Sequence, residues 1–157
     1  PTLWKNHYQP SLLNASSTPE FDCVSATHNG YRKSGISHTR TVEFNKKKEY
    51  LKITDQIDAR KPGFMVNIPF HLHPEVFVLQ TADNTYILGR KETPSTLELT
   101  FDPLIDSMPI QASDDDTLGW YSPSFMKKEK SAVIMGEHQS DAKSLTLITY
   151  IKIINRA

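Results

Sequence analysis

Four of the six histidines, His28, His38, His71 and His73, fall between residues 28 and 75, with Arg32, Arg40 and Asp55 distributed among them. These side chains can grip an anion, move a proton or hold a metal. A guanidinium grasps a carboxylate through two parallel hydrogen bonds. An imidazole exchanges its proton near neutral pH. Tyr31 follows His28 across Asn29-Gly30, and Trp120-Tyr121 lies far downstream. An aromatic ring of this kind offers an apolar face suited to the C–H face of a pyranose.

Strand alternation decides which of these groups share a face. From Ile36 to Phe44 one face carries Ile36, His38, Arg40, Val42 and Phe44, and the other Ser37, Thr39, Thr41 and Glu43. An inward Arg40 requires a partner, because an unpaired buried charge is costly. Asp55, at the end of a strand over 49–54 and beyond a reversal at Asn45–Glu49, is the nearest carboxylate. His38 and Arg40 either contact an acidic sugar or form an interior polar cluster closed by Asp55. The second reading is preferred, and on it Arg40→Ala costs about 3–5 kcal/mol. His28, Tyr31 and Arg32 surround the turn-forming Gly30, and either build the turn or face a substrate or neighbouring domain.

From Phe64 to Leu72 the apolar face is Phe64, Val66, Ile68, Phe70 and Leu72, which turns His71 and His73 to the other side. A His-x-His pair is a weak candidate for a transition-metal site of the cupin type. Glu75 follows too closely across Pro74, and only His138 remains downstream. Trp120 and Tyr121 take opposite faces, so at most one can stack on a sugar, and core packing suits Trp120 better. Asp114-Asp115-Asp116 lacks the EF-hand spacing and reads as a solvated acidic loop rather than a calcium site. Lys46-Lys47-Lys48 reads as a solvated hairpin tip.

The elements that must position these groups are short strands. Candidates run over 21–28, 36–44, 49–54, 64–73, 76–81, 85–90, 96–101, 108–112, 118–122, 131–137 and 144–154, separated by turn residues. Asp83-Asn84 reads as a hairpin reversal. Pro69 places its strand at an edge or bulge. Residues 1–20, with Trp4, His7, Tyr8 and Pro10, read as an extended arm, a loop or short edge strand broken by Asn14 to Pro19. Asp102 to Asp116 is the least strand-like region, and no window sustains a helical period. The pattern predicts an all-β fold, an antiparallel β-sandwich of ten or eleven short strands, as one domain over 1–157.

A chain of 157 residues is long enough for one well-cored domain. Its 18 basic and 18 acidic residues balance, which argues against a nucleic-acid partner. Cys23 is the single cysteine, so neither an internal disulfide nor a cysteine-based zinc site can form. No apolar run reaches membrane-spanning length, and Pro1 to Lys5 does not open a signal peptide; no membrane partner is expected. The absence of an initiator methionine suggests a trimmed piece of a longer protein, or an engineered boundary.

The order His28-Asn29-Gly30-Tyr31, His38-Thr39-Arg40, Asp55, His71-Leu72-His73-Pro74 and Trp120-Tyr121-Ser122-Pro123-Ser124-Phe125 resembles the C-terminal part of heparinase II/III-like proteins, over roughly residues 21 to 153. The resemblance implies a polysaccharide lyase in which a helical toroid precedes a β-sandwich of the supersandwich type. Such enzymes cleave uronic-acid-containing polysaccharide, glycosaminoglycans among them, by β-elimination. It also implies a periplasmic or secreted parent, although a cytoplasmic one stays open, and a structural divalent metal in some relatives. The family's catalytic Tyr, with an Asn or His, lies on the toroid. A further functional His lies in an early His-x-Asp or His-Asn-Thr segment. This chain has neither pattern, since His28-Asn29 is followed by Gly30. No catalytic residue and no cofactor are therefore expected within it. Two alternatives stand beside this one: a self-standing carbohydrate-binding β-sandwich, and a cupin-like metal protein on His71 and His73.

Overall fold

The computed structural model describes residues 8–91, 93–114 and 117–155. Trp4, His7, Asp115 and Asp116 lie outside the described residues. The described chain contains thirteen strands: β1 (Pro10–Ser17), β2 (Phe21–His28), β3 (Ile36–Asn45), β4 (Tyr50–Ala59), β5 (Phe64–His71), β6 (Val76–Ala82), β7 (Thr85–Arg90), β8 (Ser95–Phe101), β9 (Asp106–Gln111), β10 (Trp120–Tyr121), β11 (Glu129–Lys130), β12 (Ala132–Ser140) and β13 (Ser144–Asn155). A 3-10 turn spans Arg32–Ser34. This is an all-β antiparallel sandwich fold with no α-helix among the described residues. The chain divides into two compact units, 1–64 with 140–149, and 65–139 with 150–157.

In the first unit the strands run β1-β2-β3-β4 and then the opening half of β13. Cross-strand pairing sets Val24 beside Val42 and Ile53, Ala26 beside Arg40 and Asp55, and His28 beside His38 and Ile57. Antiparallel partners point the same way, so these nine side chains share one face. The strand expected over 49–54 instead continues to Ala59, because Ile53, Asp55 and Ile57 keep alternating into buried positions. Asp55 therefore lies in mid-strand and not at a strand end.

The arm expected at the start carries an eight-residue edge strand. β1 pairs with β2 along its length, with a register shift between Leu12 and Asn14. Asn14 to Ser17 stay in that strand, and the chain turns only at Thr18, whose hydroxyl accepts from the Glu20 and Phe21 backbone N–H groups. At the Lys46–Lys48 tip, Asn45 Oδ1 accepts from the Lys47 and Lys48 N–H groups at 3.1 and 2.8 Å, and both lysines are exposed.

In the second unit the closing half of β13 is followed by β8, β7 and β6, while β5-β12-β9 form a separate three-stranded sheet. Pro69 in β5 and Pro109 in β9 both occupy edge strands, where a missing N–H breaks no central ladder. Within the 102–116 stretch, the strand expected over 108–112 is β9, shifted to Asp106–Gln111. Asp83-Asn84 makes the β6–β7 reversal with Asn84 at φ 60°. The Asn84 amide donates to the Ile105 carbonyl at 2.5 Å and accepts from the Ser107 hydroxyl at 2.6 Å.

Thr149, on β13 in the first unit, is buried, and its hydroxyl has no hydrogen-bond partner. An unsatisfied buried hydroxyl opposes folding. Thr149→Val keeps the β-branched shape and should leave stability unchanged or raise it by up to about 1 kcal/mol. A denaturation midpoint lowered by the substitution would show that the hydroxyl is satisfied in solution.

Candidate functional site

The first unit's shared face brings together His28, His38, Arg40 and Asp55. Arg40 Nε donates to Asp55 Oδ1 at 2.7 Å and Nη2 to Oδ2 at 2.9 Å. His38 Nε2 lies 2.6 Å from the same Oδ1. One carboxylate is thus gripped by a bidentate guanidinium and an imidazole, the geometry expected of direct and next-nearest cross-strand positions. The burial is not where the sequence put it. Asp55 is only 2% exposed, whereas the Arg40 side chain is 44% exposed. Arg40 is long enough to hold the buried carboxylate while part of its side chain meets water.

Burial raises the Asp55 pKa, but the hydrogen bonds from His38 and Arg40 and their charges outweigh it and hold the carboxyl below the usual carboxylate range. Arg40→Ala removes two charge-assisted hydrogen bonds from a buried acceptor and should cost about 1.5–3 kcal/mol. This is less than the 3–5 expected for a fully buried pair, because Arg40 is partly solvated. A depressed folded pKa contributes stability that is present above the unfolded value and lost as pH falls through the folded one. The gap between wild type and Arg40→Ala should therefore be full above about pH 4 and shrink in acid. Chemical denaturation at several pH values checks this; a gap that persists unchanged at about pH 2 would mean that Asp55 ionisation is not its source.

His28 adjoins this cluster edge-on, its ring 5.6 Å from His38 and 5.1 Å from Tyr31. Its Nδ1 accepts from the Gly30 N–H at 3.1 Å. Tyr31 is exposed. A groove in the same unit is lined by His28, Asn29, Arg32, Ser37, Asp58 and Arg60 among others. The sequence pointed to His28 and Arg32 but not to Arg60 or Asp58, because β4 was expected to end five residues earlier. The continuing alternation Ile53, Asp55, Ile57, Ala59 was the signal that would have carried the strand to Arg60's door.

The remaining candidates are separate. His71 ends β5, and His73 lies beyond it in the connection to β6, so the two do not share one strand face. His73 packs edge-on against Tyr121 at 4.9 Å. Among the described residues no three His, Cys, Asp or Glu side chains gather as a metal cluster. Trp120 is half-buried, and Lys128 Nζ sits 3.8 Å above its ring, so that face is already occupied.

The family model described as heparinase II/III-like, C-terminal, matches residues 2–148. No curated protein matches the chain. Among solved structures, the heparan sulfate lyase HepC from Pedobacter heparinus superposes with a TM-score of 0.77 at 13% identity, over 94% of this chain and 22% of that one. A heparinase III gene product gives 0.76 at 16% identity, again over 94% and 22%. Another heparinase III gives 0.75 at 15%, with the same coverage. At these identities the likeness is one of fold, and the chain spans about a fifth of the length of each of those proteins. The family match, extending over nearly the whole chain, places it: this chain belongs to the heparinase II/III-like C-terminal family.

Proposed function

We propose that the chain is the C-terminal sandwich of a polysaccharide lyase, and that it forms one wall of a cleft completed by an N-terminal helical domain. The observation that carries this is the family match over residues 2–148, in a chain matching only 22% of the length of a heparan sulfate lyase. The substrate class is a uronic-acid-containing polysaccharide such as a glycosaminoglycan, and the setting is the periplasm or the cell exterior. In β-elimination a base removes the C5 proton, the C4 oxygen leaves with a proton, and a cation offsets the uronate charge. Arg40 and His38 are committed to Asp55, so they support the wall and do not bind substrate. His28, Tyr31 and Arg32 are the groups left to face the sugar. The metal of some relatives has no fitting set of ligands among the described residues.

The test is an assay for unsaturated uronate product with heparan sulfate, alginate and hyaluronan in turn. A longer protein carrying a helical domain ahead of this one should form product from at least one of them. Absence of product from all three would overturn the reading.

A further inference from the structure

We infer that Arg32 and Arg60 form a subsite for the anionic group, carboxylate or sulfate ester, of an acidic sugar; the identity of that ligand rests on the lyase reading above. Four arginines lie among the described residues. Arg40 holds Asp55 and Arg90 holds Glu75, whereas Arg32 and Arg60 hold no carboxylate. Both line the same groove, with His28, Asn29 and Ser37. The one carboxylate there, Asp58, accepts from the Ser144 hydroxyl at 2.7 Å and from the Gln56 amide at 3.4 Å. Two free guanidiniums with one engaged carboxylate leave a local excess of positive charge, in a molecule whose net charge is zero.

The pairing of the two arginines is built into the backbone. The Gly35 N–H donates to the Arg32 carbonyl at 3.0 Å, and the Arg60 N–H donates to the Gly35 carbonyl at 2.9 Å. Gly35 therefore ties the two residues together, at a φ of 72° that closes the 3-10 turn. A Cβ at Gly35 would meet Arg60 Cδ at 3.0 Å, so the glycine also leaves room for the arginine stem. The backbone ties root both side chains at one place, and a guanidinium can present parallel donors to a carboxylate or sulfate oxygen pair, which an ammonium cannot.

Binding of a heparan sulfate oligosaccharide to the chain, followed by calorimetry, tests the subsite. Arg32→Ala combined with Arg60→Gln should weaken binding by about tenfold or more, the loss expected from removing charge-assisted hydrogen bonds. Glutamine retains the stem against Gly35, and both residues are exposed, so an unchanged unfolding midpoint verifies that the variant folds. Lys47→Ala with Lys48→Ala removes the same charge from the hairpin tip and should leave affinity nearly unchanged. Equal weakening by the two double variants would reduce the effect to general electrostatics and overturn the proposal, as would no binding by the wild type. De-sulfated, N-acetylated oligosaccharide assigns the group: retained binding points to the carboxylate, lost binding to the sulfate. If the longer protein proves inactive while the arginine variant still loses binding, the lyase reading fails and the subsite stands.

Discussion

Incubated with heparan sulfate, alginate or hyaluronan, the 157-residue chain alone should form no detectable unsaturated uronate. Elimination needs a base at C5, an acid at the departing oxygen and a neutralised carboxylate, all arranged about one sugar. The first unit offers imidazoles, a phenol and guanidiniums, but the cluster of His38, Arg40 and Asp55 is closed on itself. Arg40's fork and His38 Nε2 are both spent on Asp55. What remains at the groove, His28 with Arg32 and Arg60, can bind an anion without surrounding it. Correct positioning is worth about 7–11 kcal/mol of a barrier, so an open wall should lie many orders of magnitude below a complete cleft. Absorbance of the unsaturated product is the readout. Product formed by this chain, and abolished by His28→Ala, would mean that the site is complete without a helical partner.

The sheet was legible in the sequence where apolar and polar residues alternate between clear turn residues. The bounds of β2, β3 and β7 come within a residue of those expected. The Arg40–Asp55 pairing was legible for the same reason, since an arginine on an apolar face needs a carboxylate. Its depth was not. Alternation gives the face a side chain takes, but not whether the neighbouring strand covers its far end, and so Arg40 was placed inside when Asp55 is. β1 was obscured by Asn14, Ser16 and Ser17, polar residues that an exposed edge strand tolerates because only one side of it is paired. The groove's second arginine was hidden by a strand end set five residues too early. Nothing in spacing alone links Arg32 to Arg60; the link is a pair of backbone hydrogen bonds through Gly35.

Ile134→Ala should lower the unfolding free energy by about 3–4 kcal/mol, the largest stability change anticipated for a single side chain here. Ile134 is fully buried in β12, the central strand of the second unit's three-stranded sheet. Val133 and Met135 beside it are buried too, so both faces of the strand are covered, and the run Ala132 to Gly136 shows no alternation for that reason. Its surroundings have little room to collapse. A Cβ at neighbouring Gly136 would already come within 2.9 Å of both Ile105 Cγ2 and the Phe101 ring. Where walls cannot relax, the lost transfer energy and the cavity add together. Ile134→Val should cost only about 1 kcal/mol, and Met108→Ala, at an exposed side chain on β9, under about 0.5 kcal/mol. Urea titrations with an unchanged slope would report these as stability differences rather than changes in compactness. A loss below about 1 kcal/mol for Ile134→Ala would place β12 outside the packed core.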